Sequence, residues 1–541
     1  GDGTMTVALQ GATDNATPGE HRAAVSVNGK LVGEAQWQGI APIVETFTVP
    51  DGVLLETGNQ VEILGTVGGG APFSFYFVDG FEAGYPHRFE AEGDALAFTS
   101  DGNAQLTVSG FADPAIRLLD VTNPLRPSWL TGAAVDADSG AWRASFVPSA
   151  SARYFAAGQS ALKAPVAARP WSDDDLRATS NRADVLIVAP AGMEGEAERL
   201  ASFRRSQGLQ AVVAGLDEVA DLFGNGTATP QALRSFLIYA KTRWSVKPRY
   251  VVLAGEGTLD YRNLQGFGDS VMPPLLVLAE GGLFPSDNRL ADVNGDGRAD
   301  MAIGRIPVLT AAELGSYVDK ILAYENAGSP AWAANALMLA DSADGGASFS
   351  QQSDQIAAQL PSGFAIDRIY LDTEPLAQAR ARLFQGIDTG ASLIDFVGHG
   401  GLDRLSAGGL LTSADVPGLA NGERLPVVTA MTCTVNRFAV PGVPSLGELL
   451  VKSQDGGAAA VWGPSGLSSH GEARHLAEIF YRRASDPADG RLGDWVLQSM
   501  KDFAALGGDE GMLDIYNLLG DPTLVVRRGP APAPAGGSSG E

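Results

Sequence analysis

The chain has 541 residues, with 38 Lys and Arg against 63 Asp and Glu, and a formal net charge of −25. That balance argues against a nucleic-acid surface, which needs clustered cations along the phosphate backbone, and it suits solubility, salt tolerance and divalent cations. A single cysteine, Cys433, excludes an intrachain disulfide framework but not export.

The length asks for several domains, because single cores stop growing at about 250–300 residues. No stretch reaches the roughly 18 apolar residues of a membrane span. The chain opens on GDGTMTVALQ with no signal peptide in view, so a leader removed on export is expected.

Residues 1–162 read as all-β. AAVSVNGKLVGEA sets Asn28-Gly29 between alternating runs, a strong hairpin signal. APFSFYFVDGFEAGY, ALAFTSDGNAQLTVSGF and AWRASFVPS continue with short strands and Gly/Asp turns. A β-sandwich or jelly roll is the expected packing. Trp37, Tyr76 and Tyr85 fit a core as well as a binding platform, so this region reads equally as a prodomain, a carbohydrate module or a docking domain. Residues 163–182 read as a linker that offers Arg169 and Arg177 as cleavage sites.

From Ala183 the pattern changes. DVLIVAP, LQAVVAG and RYVVLAGEG are short apolar runs typical of buried parallel strands, separated by EGEAERLASFRRSQG and TPQALRSFLIYAKTRW with helical spacing. Thr229 and Pro230 mark a helix start. After Ala331 the alternation resumes through ALMLADS, FAIDRIYL, ASLIDFV, LPVVTAMT and AAAVWG. The expectation is a doubly wound, mostly parallel α/β fold in two subdomains, 183–330 and 331–528, followed by a Pro/Ala/Gly-rich tail at 529–541.

In open α/β sheets ligands bind beyond the carboxyl ends of the strands. Four strands here run off into reactive or flexible residues: Asp341 and Asp344 in ALMLADSADGG, His399 in SLIDFVGHGG, Cys433 in PVVTAMTC, and the loop of AAAVWGPSG, where Trp462 is a candidate for substrate contact. Taken alone, a cysteine after an apolar strand reads as a small core residue, and a Gly-flanked histidine as structural. Their joint placement on consecutive strands favours chemistry. A thiol at neutral pH needs a nearby base, an imidazole supplies one, and a carboxylate orients it. The N–H groups of Gly400 and Cys433 are candidates for an oxyanion hole. GPSGL lacks the G-x-S-x-G elbow, and GNGTATP lacks the strand and Lys-Ser/Thr of a phosphate loop.

FVGHGG with His399, MTCTVNRF with Cys433 and the later SLGELL resemble the gingipain-type cysteine peptidases of caspase-like fold. GRIPV at Gly304, TPQALRSFL and the closing YNLLGDPTLVV extend the resemblance over roughly residues 183–528. It implies an endopeptidase with a Cys–His dyad, an acyl-enzyme intermediate and protein or peptide substrates. It also implies that Asp344, in SADGG, supports the histidine and that Asp354, in QQSDQIA, reads a basic P1 side chain. The same family includes a sortase-like transpeptidase of the type IX secretion machinery. Transfer to an amine, and an inactive adhesion protein on the same fold, therefore stand as alternatives. The implied setting is extracellular or the bacterial cell envelope, with secretion or surface components as partners.

A second signal is DNRLADVNGDGRAD. Asp292, Asn294, Asp296 and Asp300 follow a D-x-N-x-D-G-x-x-D order, with Arg298 offering its carbonyl, as in a calcium loop. Position 12 is Ile303, which leaves Asp287 as candidate for the closing ligand. A structural Ca2+ is the expectation, against a solvated acidic turn.

Overall fold

Strand-forming sequence runs through the first 157 residues, but it closes around two cores rather than one. The structure, a computed structural model, describes residues 2–100, 102–165, 175–268, 270–328, 330–346, 348–483 and 490–528. Strands β1 (Gly3–Gly11), β2 (His21–Val27), β3 (Lys30–Trp37), β4 (Pro42–Val49), β5 (Val61–Val67) and β6 (Tyr76–Gly84) form two antiparallel sheets, ordered β4-β1-β6 and β3-β2-β5. In β1 every second residue is buried, as a half-buried strand requires, and Val7, Leu9, Val25 and Trp37 meet between the sheets. Asn28-Gly29 joins β2 to β3 as the sequence predicts. Trp37 is core, 5.0 Å from Tyr76 between ring centroids, whereas Tyr85 is exposed.

The next seven strands are β7 (Ala95–Thr99), β8 (Leu106–Phe111), β9 (Arg117–Asp120), β10 (Ser128–Trp129), β11 (Ala134–Asp138), β12 (Ala141–Phe146) and β13 (Arg153–Ala157). They form sheets ordered β10-β9-β13-β7 and β11-β12-β8 around Val108, Phe111 and Tyr154. The single sandwich expected for 1–162 is thus two small ones in series. Strands this short bury few side chains per face, so each pair of sheets closes on its own residues.

The chain divides into two compact units, residues 1–173 and 174–541. Arg169 and the tail 529–541 lie outside the described residues. Arg177 is described and exposed, with its guanidinium stacked on Phe223.

The second unit starts with β14 (Val185–Ala189), α1 (Glu194–Ser206), β15 (Ala211–Gly215), α2 (Leu216–Phe223), α3 (Pro230–Arg243) and β16 (Tyr250–Ala254). The Thr229 hydroxyl caps α3 by accepting the Ala232 N–H at 3.1 Å. A hairpin of β17 (Leu276–Ala279) and β18 (Gly282–Pro285) leads to β19 (Ala302–Ile306) and α4 (Ala311–Asn326). Then come β20 (Asn335–Ala340), α5 (Phe349–Ala357), β21 (Ala365–Tyr370), α6 (Leu376–Thr389) and β22 (Leu393–Val397). A small sheet of β23 (Gly400–Gly401), β24 (Arg404–Leu405) and β25 (Leu411–Thr412) precedes β26 (Val427–Met431), α7 (Leu446–Lys452) and β27 (Ala460–Pro464). Helices α8 (His470–Arg483), α9 (Leu492–Ala505) and α10 (Glu510–Ile515) and strand β28 (Tyr516–Leu519) close the unit.

Ten of these strands make one sheet, ordered β15-β14-β16-β19-β28-β27-β26-β22-β20-β21. Every neighbouring pair is parallel except β27 with β28. The residue-330 boundary therefore marks a seam within one sheet, and the strands on the two sides of β27/β28 run in opposite directions. One continuous core, from Val185 to Val526, spans both halves. A second core under α2 and α3 covers the other face of the first half.

Two buried ion networks lie beside the seam, and the second crosses it. Arg305 of β19, fully buried, donates to Asp287 at 2.7 and 2.8 Å and to the carbonyls of Gly255 and Met272. Arg204 of α1 pairs with Glu325 at 2.8 Å and Asp521 at 2.6 Å. Asp521 follows β28, so Arg204 anchors the strand at which the two halves meet.

Candidate active site

Strands β20, β22 and β26 leave the sheet side by side and in register: Ala340 pairs with Val397, and Val397 with Met431. Asp341, His399 and Cys433 thus emerge at one edge. The chain ends its strand at Val397 and turns through Gly398, whose φ is +154° and where a Cβ would lie 2.3 Å from the Asp341 Cβ. At Gly400 a Cβ would lie 2.4 Å from the Thr432 hydroxyl. Only glycine lets the histidine loop lie this close to both neighbouring strand ends.

The backbone of His399 is fixed on both sides. Its N–H donates to the buried Asp341 carboxylate at 3.2 Å, and its carbonyl accepts the Ser406 N–H at 2.8 Å. Asp341 also accepts the Ser406 hydroxyl at 2.9 Å and the Ser342 N–H at 2.8 Å. The side chain of His399 is half exposed (46%), and its Nε2 is hydrogen-bonded to the Asp344 carboxylate. Among the described residues no other hydrogen bond reaches the ring, which leaves Nδ1 open.

Cys433 is partly buried. Its Sγ accepts the Ser468 N–H at 3.5 Å. Burial pushes the thiol above its ordinary pKa, the Ser468 N–H opposes this, and the Glu280 carboxylate raises it further. A thiol held this way is a poor nucleophile unless a base takes its proton. After Cys433 the chain is pinned by Thr434 N–H to the Gly466 carbonyl (3.0 Å) and by buried Asn436, whose Nδ2 donates to the carbonyls of Val461 (3.1 Å) and Asn517 (3.0 Å). The Cys433 N–H meets no acceptor among the described residues.

Other expected site residues sit elsewhere. Trp462 is not at the rim: it is fully buried in β27, packed on Phe480 and Tyr516 at 4.8 and 5.7 Å, so its ring does not reach a substrate. Alternation in a strand buried on both faces gives every side chain to the core. Asp354 lies on α5, but Arg368 pairs with it at 2.7 Å and the Tyr370 hydroxyl donates to it at 3.0 Å. Ser465 of GPSGL, which the sequence already disfavours as a nucleophile, is buried and donates to the Pro285 carbonyl.

The acidic loop before β19 is laced by its own backbone. Asp292 accepts from Gly295 N–H (2.7 Å) and Gly297 N–H (3.2 Å), Asp296 from Arg298 N–H (2.9 Å), and Asp300 from Val293 N–H (3.0 Å). Arg234 and Arg289 approach Asp292 at 3.5 and 3.8 Å and offset its charge. Asp287 is committed to Arg305 and does not close the loop as a ligand. Among the described residues, no three His, Cys, Asp or Glu side chains gather as a metal group. Ca2+ binding by Asp292, Asn294, Asp296, Asp300 and the Arg298 carbonyl is a proposal for this loop, with melting in calcium against chelator as its test.

Sequence reading passed over Ser468, Phe349 and His470. His470 stands in SSHGEA, where the helical period begins and draws attention away from the residue that opens it.

A mixed sheet flanked by helices thus carries Cys433, His399 and Asp344 at one edge. The chain belongs to peptidase family C25, whose model matches residues 178–527. It is 23% identical over 363 residues to gingipain R2 of Porphyromonas gingivalis, covering 63% of this chain and 46% of that protein. It is 22% identical to gingipain R1 of the same species, covering 63% of this chain and 34% of that one. The chain thus spans less than half the length of these relatives.

Among solved structures, the complex of the RgpB pro- and mature domains of P. gingivalis superposes with a TM-score of 0.53 at 20% identity. That match covers 64% of this chain and 80% of the other. The Arg-specific cysteine proteinase gingipain R (RgpB) gives the same TM-score and identity, over 65% and 79%. These likenesses carry the expected fold.

Proposed function

We propose that this chain is a cysteine endopeptidase in which Cys433 is the nucleophile, His399 the base and Asp344 the group that orients the histidine. The single observation that carries this reading is the in-register exit of β22 and β26, which sets the Gly398–Gly401 loop against Thr432. In this mechanism His399 Nδ1 takes the thiol proton and Sγ attacks the scissile carbonyl carbon. The oxyanion is met by the N–H groups of Cys433 and Gly400. The imidazolium returns its proton to the leaving amine, the thioester remains, and water activated by His399 releases the acid. Asp344 at Nε2 stabilises the imidazolium.

The test is hydrolysis of a peptide library together with labelling of Cys433 by an electrophilic thiol probe. Hydrolysis and labelling that both fall in His399→Ala support the reading. Unchanged labelling in that variant ends it. An added amine that captures the acyl group would assign transfer in place of hydrolysis.

A basic P1 preference enters the proposal through exchange: a substrate Arg or Lys displaces Arg368 from Asp354. Freeing that carboxylate with Arg368→Ala should then raise kcat/KM for Arg or Lys substrates several-fold, about 1 kcal/mol of released competition. No change would detach Asp354 from specificity. Export or surface attachment is proposed with the peptidase function, and cell fractionation tests it. Among the described residues no helix is long and apolar enough to cross a membrane.

A further inference from the structure

We propose that His470 is a positioning residue for His399, its ring acting with that of Phe349 to hold the imidazole in the plane that meets the thiol. This rests on the Cys433–His399 reading above. Three rings meet edge to face beside the candidate dyad. The centroids of His399 and His470 are 5.0 Å apart at 85°. Phe349 lies 5.4 Å from His399 at 83° and 4.9 Å from His470 at 67°. Phe349 is fully buried at the start of α5, so this wall is anchored in the core.

The geometry gives the wall a task. The Asp344 bond holds His399 at one atom, Nε2, and leaves a half-exposed ring free to tilt about it. Two edge-to-face contacts restrict that freedom, which matters because small misplacements of a reacting group are costly. The same short segment reaches the thiol. Two residues before His470, the Ser468 N–H donates to Cys433 Sγ at 3.5 Å, and the Ser468 hydroxyl meets the Tyr516 hydroxyl at 2.9 Å. Residues 468–470 therefore touch both members of the dyad from one side.

The charged groups acting on His470 are His399 and Asp344. Burial and the His399 charge hold its pKa below the usual histidine value, with Asp344 opposing.

The experiment measures the second-order rate of Cys433 alkylation by iodoacetamide at pH 7 on the full chain, with thermal melting in parallel. His470→Ala is expected to slow alkylation about tenfold, and His470→Phe, which keeps the ring, to return it to within about twofold of the parent. His470→Leu replaces the alanine variant if that one does not fold. A rate unchanged in the ringless variant overturns the proposal, as does a His470→Phe rate as slow as the ringless one. A His399→Ala rate equal to the parent ends the Cys–His reading and this proposal with it. A slow His399→Ala beside an unaffected ringless variant ends this proposal alone.

Discussion

In the half of the sheet from β15 to β28, charged side chains of the strands, their loops and the helices packed on them are sealed into pairs: Arg305 with Asp287, and Arg204 with Asp521 and Glu325. In the half from β27 to β21, the reactive groups stand at the rim, with His399 and Asp344 about half exposed. Both halves are written in the same strand–helix alternation. What separates them is which residues follow each strand and whether a partner of opposite charge is packed over them. Conspicuous motifs such as GRIPV and LGDPT therefore serve the seam, and GHGG and MTC serve the edge.

The comparison is broken most severely by removing the proposed nucleophile. Cys433→Ala should lower peptide hydrolysis by roughly 10^4-fold or more and leave melting unchanged, because a partly buried thiol contributes little packing. Peptidase assay and calorimetry check this. On the sealed side the expectation reverses. Asp521→Ala takes one of two carboxylate partners from a fully buried guanidinium, which Glu325 still pairs, and should cost about 2–3 kcal/mol by urea unfolding, as measured by the shift in the denaturation midpoint. An unfolding curve like that of the parent would mean that the pair is not what holds the seam.

Asp395 offers a sharper version of the same contrast, because it is a buried carboxyl in β22 with no ion pair among the described residues. The Thr429 hydroxyl donates to it at 2.5 Å, and burial pushes its pKa up to about 7. Since the folded value lies above the unfolded one, its contribution is present in full below about pH 4 and is lost as pH rises through 7. Stability measured by urea titration should fall across that window by a few kcal/mol, and Asp395→Asn should flatten the fall.

At the exposed edge, Asp344→Asn should reduce kcat about tenfold with KM unchanged. That is less than a buried orienting carboxylate would cost, because solvent screens a half-exposed one. Calcium gives the smallest effect. A weak, incomplete site with a Kd of about 1 mM adds roughly 0.4 kcal/mol at 1 mM Ca2+. Melting in calcium against chelator should then differ by about a degree. A shift of several degrees would require a closing ligand that Asp287 does not supply.

Much of the α/β unit was legible because its strands are continuous apolar runs and its helices carry caps such as Thr229. Cys433 and His399 were legible because each sits just past such a run. Strand direction was not legible: nothing in YNLL announces that β28 joins β19 in parallel and β27 antiparallel. Nor was the division of the β region, since alternation reports which face is buried but not against which partner. Trp462 misled for a related reason, because a residue near a strand's end is still core when both faces are covered. His470 escaped because its importance lies in what it stacks on, and no spacing in the sequence reports that.

The last of the ten strands in chain order, β28, is fifth in spatial order. A ribosome delivers the nine others first, and until Tyr516–Leu519 emerges β19 and β27 face each other as two open edges. The thiol edge is built on that unfinished sheet, since Asn436 needs the Asn517 carbonyl and Ser468 needs the Tyr516 hydroxyl. The residues that anchor the Cys433 loop are therefore among the last strand residues of the α/β unit to be synthesised, so that loop cannot be fully pinned before them.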